Sequence, residues 1–170
     1  MIILGIDPGL ATVGWGVIST DGSRHKALAY GSLITPPGVP LEDRLLQIAT
    51  ETEAILDKYK PEAMAVEELL FNTNITTGIR VAEARGVTLL CGRRKNVPIY
   101  EYTPLQVKQA VVGYGRAEKH QVMDMVKRLC ALKAAPKPDD AADAVALALC
   151  HARSSTSLLY KGDNEECSTI

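Results

Sequence analysis

The first 34 residues constrain the chain most, because no helix fits them. Ile2–Ile6 is an unbroken apolar run that stops at Asp7-Pro8-Gly9, a turn signal. Thr12–Ser19 alternates, with Val13, Trp15 and Val17 on one side and Gly14 and Gly16 on the other. That is the pattern of a half-buried strand whose second face is approached closely. Asp21-Gly22 marks a hairpin turn. Lys26–Ile34 reads as a third strand, closed by Pro36-Pro37-Gly38. The head of the chain is therefore predicted to be a three-stranded antiparallel meander.

The remainder alternates between the two periodicities. Leu41, Leu45, Ile48, Thr52, Ile55 and Tyr59 recur every three or four residues, which predicts a helix over 41–59 stopped by Pro61. Ala63–Val66 is a short apolar strand, and Thr73 to about Arg94 a long helix. Val97–Tyr102 is a strand. Thr103-Pro104 starts a helix as N-cap and first helical residue, and that helix ends at Gly113. A loop, Gly113-Tyr114-Gly115, leads to a helix over 117–132. After a linker at 134–138, Asp139 or Asp140 caps a last helix that runs to about Ala152. A meander followed by alternating strands and helices predicts an α/β layered domain, a mixed sheet with helices on both faces.

The 170 residues suffice for one domain and leave no room for a second. We expect the domain to cover 1–152 and the polar, Ser/Thr-rich 153–170 to form a flexible tail. No apolar run is long enough to span a membrane, and Met1–Asp7 reads as a strand rather than an export signal, so a cytoplasmic protein is expected. The four cysteines contain no C-x-x-C pair and are read as reduced thiols. Adjacent Cys150 and His151 could ligate a metal, but a helix-end thiol beside a surface imidazole is the favoured reading. The net charge is −1, yet 80–137 holds twelve Lys/Arg against four Asp/Glu. Such a regional excess could follow a phosphate backbone, or it could be solvated helix faces.

The acids have their own pattern. Asp7 follows the first strand, Glu67 and Glu68 follow the fourth, and Asp140 and Asp143 are three apart at the start of the last helix. Spacing of three puts those two on one helix face. If strands one and four are parallel neighbours, Asp7 and Glu67 meet at their carboxyl ends, where open α/β sheets carry their sites. Four close carboxylates cannot all ionise uncompensated. Carboxylate and water oxygens suit Mg²⁺ or Mn²⁺, and two such ions about 4 Å apart could hydrolyse a phosphodiester. One at a time, each acid also fits a turn, a helix start or a strand edge.

Taken in order, the motifs resemble those of the RuvC family of Holliday-junction resolvases. Ile3-Leu4-Gly5-Ile6-Asp7-Pro8-Gly9 is similar to the opening motif, and Ala65-Val66-Glu67-Glu68 to the second acidic motif. Ala84-Arg85-Gly86-Val87, Gln106-Val107-Lys108-Gln109 and 111–119 resemble the middle motifs. Asp140-Ala141-Ala142-Asp143-Ala144 resembles the closing one, and the match is colinear from about residue 2 to 152. The resemblance implies an RNase H-like fold and a homodimeric endonuclease that nicks two opposed strands of a four-way DNA junction in recombination and repair. It implies Asp7, Glu67, Asp140 and Asp143 as the metal-binding catalytic acids, with Mg²⁺ (Mn²⁺ substituting), two ions per site. Lys108 and Lys119 would lie near the scissile phosphate, and Tyr114 and Arg116 near DNA. A branch-migration helicase complex (RuvA and RuvB) is the implied partner.

Many family members carry an aromatic pair after the second acidic motif, one of which wedges into the junction. Here the pair is Leu70-Phe71. Phe71 could stack, or Leu70 could act as an apolar wedge at a base step. A junction has approximate two-fold symmetry, which a C2 dimer matches with two copies of one site. Gly78, Ala82 and Gly86, four apart on one helix face, form the candidate dimer interface. An actin-like ATPase would share the first acid and the meander, but it needs a second related domain.

Overall fold

The computed structural model describes residues 1–69 and 75–156. Five strands form one sheet: β1 (Ile2–Asp7), β2 (Thr12–Thr20), β3 (His25–Ile34), β4 (Ala63–Glu67) and β5 (Ile99–Tyr102). The sheet order is β3-β2-β1-β4-β5. The first three strands are the expected antiparallel meander, with Leu4 opposite Val17 and Gly16 opposite Tyr30. β4 joins β1 in parallel, and β5 joins β4 in parallel, which gives the mixed sheet.

Among the described residues five helices cover the two faces: α1 (Leu41–Tyr59), α2 (Ile75–Arg94), α3 (Pro104–Val112), α4 (Lys119–Leu129) and α5 (Asp139–Thr156). The period of two along β1 decides which residue meets which layer. Leu4 and Ile6 pack with Ile48 and Leu56 of α1 and with Ala84 and Cys91 of α2. Ile3 packs on the other side with Val107, Val126 and Leu149, from α3, α4 and α5. The sheet is thus buried on both faces at its centre.

Local chemistry sets several boundaries. α1 ends at Lys60, whose φ of 45° is left-handed and whose amide closes on the Leu56 carbonyl. Thr103 caps α3 through a reciprocal box with Gln106, with Pro104 in the first turn. Gly113, at φ 103°, ends that helix, because a left-handed residue is where glycine costs least. α4 is shorter than expected at both ends. Glu118 caps it in a box with Gln121, and the left-handed Ala131 follows its C-terminus. Asp139 and Asp140 do not precede α5 as caps; both lie inside its first turn. α5 also runs past Ala152 to Thr156, so the first four residues of the expected tail are helical.

One contact governs the layering. Gly5, Gly14 and Gly16 all face α5, and its backbone fills the space their side chains would take. A Cβ on Gly5 would strike the Ala144 carbonyl, one on Gly14 the Asp140 carbonyl, and one on Gly16 the Val145 side chain and backbone. The face of α5 that meets them is built of small residues, including Ala141, Ala144 and Ala148, all fully buried. Gly14→Ala should therefore force α5 off β2. Overpacking of this kind costs about 1–3 kcal/mol, so thermal denaturation should show Tm lowered by roughly 3–10 °C. An unchanged Tm would show that the close approach is dispensable.

Candidate metal centre

The carboxylates reach one end of the sheet from different elements. Asp7 ends β1 and Glu67 ends β4, and the parallel register, Ile6 beside Val66, sets them next to each other. α5 brings the rest. Its contact with Gly14 lays the first turn across that end, and Asp140 and Asp143 share a face. One carboxylate oxygen from each of Asp7, Asp140 and Asp143 lies within 4.8 Å of the others. Glu67 lies outside that trio and hydrogen-bonds to Asp7. Between Asp139 and Asp140, it is Asp140 that joins the cluster, while Asp139 faces Lys119.

Two adjacent carboxylates can hydrogen-bond only by sharing a proton. Burial, the hydrogen bond to Glu67, and the charges of Glu67, Asp143 and Asp140 together push the Asp7 carboxyl up to about 8. The protein alone thus leaves this cluster short of positive charge. Hard oxygen donors converging within a few ångströms fit a divalent cation such as Mg²⁺ or Mn²⁺.

Two lysines stand beside the acids. The Lys119 ammonium lies 3.0 Å from Asp143 and 3.5 Å from Asp139. Burial opposes its charge, but the hydrogen bond and charge of Asp143 prevail and raise its pKa above the ordinary lysine value. Lys108, from α3, lines the same cavity of about 250 Å³ together with Lys119, Glu67 and Asp143. The rest of the wall of that cavity is apolar, formed by Pro104, Val107, Val122 and Leu147. Sequence reasoning missed this wall, since its residues read only as core positions of three separate helices. Tyr114 is exposed, its hydroxyl donating to Gln121 Oε1 at 2.8 Å, and Arg116 is exposed on the same loop. Leu70 and Phe71 lie outside the described residues.

The basic excess of 80–137 divides when seen in space. Arg94 and Lys95 pair with Glu53 and Asp57 of α1, at the end of the sheet away from the acids. Lys108 and Lys119 remain at the acid end. Gly78 and Ala82 are half-buried and Gly86 is exposed, with open space where its Cβ would stand. The opposite face of α2, Ala84, Thr88 and Cys91, is the buried one. His151 is not the surface imidazole that was expected. It is buried, hydrogen-bonded through Nδ1 to the Tyr102 hydroxyl at 2.8 Å, and Tyr100 packs on it at 4.3 Å between ring centroids. Burial lowers its pKa to about 4, so it is a neutral core residue. Cys150 is buried as well, and burial pushes its thiol up to about 11.

This sheet order, with carboxylates at the ends of adjacent parallel strands and an acidic helix across them, defines an RNase H-like fold. The yeast mitochondrial Holliday junction resolvase Ydc2 shares it at 16% identity and a TM-score of 0.62, over 89% of this chain and 78% of that one. Residues 3–151 match the family described as crossover junction endodeoxyribonuclease RuvC, and the chain belongs to that family. The RuvC proteins of Alkaliphilus oremlandii and Halothermothrix orenii are each 54% identical to it. The matches cover 89% and 91% of this chain and 93% of each relative. Thermus thermophilus RuvC in complex with Holliday junction substrate is 38% identical, with a TM-score of 0.88, over 91% of this chain and 94% of that one.

The raised Asp7 pKa has a consequence for stability without metal. The folded value, about 8, exceeds the ordinary 3.8, so the folded state holds this proton more tightly than the unfolded state. Its stabilisation is fully present below about pH 4 and is lost as pH rises through about 8. In EDTA, Tm of the wild type should fall over that window relative to Asp7→Asn, which carries no such proton. Parallel pH profiles for the two proteins would contradict the shift.

Proposed function

We propose that this chain resolves four-way DNA junctions by metal-dependent hydrolysis of one phosphodiester on each of two opposed strands, in recombination and repair. The observation that carries this reading is the convergence of the Asp7, Glu67, Asp140 and Asp143 carboxylates beside Lys108 and Lys119. We assign Asp7, Asp140 and Asp143, with Glu67 next to Asp7, as the residues that hold Mg²⁺, with Mn²⁺ able to replace it and two ions per site. Bound there, such cations supply a water nucleophile at neutral pH and neutralise charge on the reacting phosphate.

The chain's own groups do the rest. Lys119 holds a positive charge at the acid cluster through Asp143 and Asp139. Lys108 lines the same cavity and adds a second one, and each can meet a phosphate as a point charge. Pro104, Val107, Val122 and Leu147 give the cavity an apolar lining beside the charged groups. Tyr114 and Arg116, exposed on the loop after α3, are assigned to the flanking backbone, and Leu70 and Phe71 to the junction centre.

Two cuts per junction call for two sites, and we propose a homodimer. Ile79 and Leu90, both more than half exposed, extend the Gly78, Ala82 and Gly86 face of α2 into an apolar stripe. An unpaired stripe of that kind fits burial against a second copy. We assign the nuclease to residues 1–156, which takes in the end of α5 beyond the expected 152, and the working partner to a branch-migration helicase complex such as RuvA and RuvB. Among the described residues no helix is long and apolar enough to cross a membrane; the place of action that fits the proposed DNA substrate is the cytoplasm.

The test is cleavage of a synthetic mobile junction with Mg²⁺ or Mn²⁺, beside linear duplex and an RNA–DNA hybrid. We expect metal-dependent nicks on two opposed strands of the junction alone. Glu67→Gln should bind the junction as wild type does and cut at least ~100-fold more slowly. Cleavage of the hybrid instead would reassign the substrate, and undiminished cutting by Glu67→Gln would remove Glu67 from the site.

A further inference from the structure

Arg85 projects from α2 toward the end of β4, and its side chain is only 14% exposed. Its Nε donates to the Glu67 carbonyl at 3.1 Å, and its terminal nitrogen meets the Glu101 carboxylate at 2.6 Å. Glu101 lies on β5 opposite Val66, one residue before Glu67 in the register. The β1–β4 pairing ends at Ile6 and Val66, so the Glu67 carbonyl stands beyond the last paired residue. On the other side of the same peptide, the Glu68 amide donates to the Tyr102 carbonyl at 2.9 Å.

We propose that Arg85 is a positioning residue for the cleavage reaction. The peptide joining Glu67 to Glu68 is held at both ends: at its N–H by β5 and at its C=O by Arg85. A peptide is planar, so fixing both groups fixes the Cα of Glu67 and the direction in which its carboxylate leaves the strand. Without Arg85 the strand end is held from one side only. Glu101 orients the guanidinium, whose planar fork can serve a carbonyl and a carboxylate at once. A lysine offers a compact point charge and cannot reproduce that geometry. Among the described residues Arg85 pairs with Glu101 and with none of the four site carboxylates, and it does not line the cavity; it acts through the backbone of Glu67. Outer groups of this kind commonly contribute ten- to hundredfold in activity or metal affinity.

This inference rests on the reading of Glu67 as part of the catalytic site. The rival role for Arg85 is a DNA phosphate contact, since it belongs to the basic 80–137 region. Four proteins separate the two: wild type, Arg85→Ala, Arg85→Lys and Glu101→Gln. Three readouts apply to each: kcat on the junction, junction Kd across a salt series, and Mn²⁺ affinity by calorimetry without DNA. Positioning predicts kcat lowered about 10–100-fold in both Arg85 variants and less in Glu101→Gln, with weaker Mn²⁺ binding. It also predicts junction Kd within about twofold of wild type and an unchanged salt slope. A phosphate contact instead predicts a weaker junction Kd for Arg85→Ala, a salt slope smaller by about one, and recovery by Arg85→Lys. That pattern would overturn the proposal, as would wild-type kcat and Mn²⁺ affinity in both Arg85 variants. If Arg85→Ala does not fold, Arg85→Lys and Glu101→Gln carry the same comparison. Should wild type not cut the junction, the functional reading fails, while the Mn²⁺ comparison still decides whether Arg85 orders the site.

Discussion

Everything at the site depends on how closely α5 lies on the sheet. A helix normally rests on the side chains of the strands beneath it. Here Gly5, Gly14 and Gly16 remove those side chains, and the alanine face of α5 descends until backbone meets backbone. Only at that distance does the first turn of α5 reach the ends of β1 and β4. The glycines that look like weak points in two strands are therefore what brings Asp140 and Asp143 to Asp7. The layering that buries Ala141, Ala144 and Ala148 also assembles the acid cluster.

That assembly works against itself electrostatically. Packing drives together groups whose like charges repel, and burial removes the water that would screen them. The structure answers in two ways: burial and the neighbouring carboxylates push the Asp7 carboxyl up to about 8, and Lys119 leans on Asp143. A cation bound there would take the oxygens that a proton and the Lys119 ammonium otherwise share. Tight tertiary packing thus stores the repulsion that favours metal binding.

Much of this was legible in the sequence because it is local. Turn residues at Asp7-Pro8-Gly9 and Asp21-Gly22, and the alternation of Val13, Trp15 and Val17, are enough to lay out the meander. α1 was readable to the residue because its apolar period is clean and Lys60 and Pro61 stop it. The helix pattern did not separate Asp139 from Asp140; the i, i+3 spacing to Asp143 favoured Asp140, and its carboxylate is the one that lies with Asp7 and Asp143. What was not legible is long-range. Arg85 reads as one of twelve cations, and only the fold brings it to the Glu67 carbonyl and Glu101. The basic excess itself is not one surface, because Arg94 and Lys95 pair with α1, Arg85 with Glu101 and Arg128 with Asp124, while Lys108 and Lys119 stand by the acids. His151 looked like a surface residue at a helix end, and its burial against Tyr100 and Tyr102 depends on β5 passing beneath it.

The central claim is that the α5–sheet contact builds a cation site from Asp7, Asp140 and Asp143. Crystals of the protein grown or soaked in MnCl₂, with anomalous diffraction collected at the manganese edge, test it most directly. The account predicts an anomalous peak among those three carboxylates, with Lys119 withdrawn from Asp143. Full manganese occupancy elsewhere on the molecule, with the three carboxylates bare and Asp7 still bonded to Glu67, would contradict it.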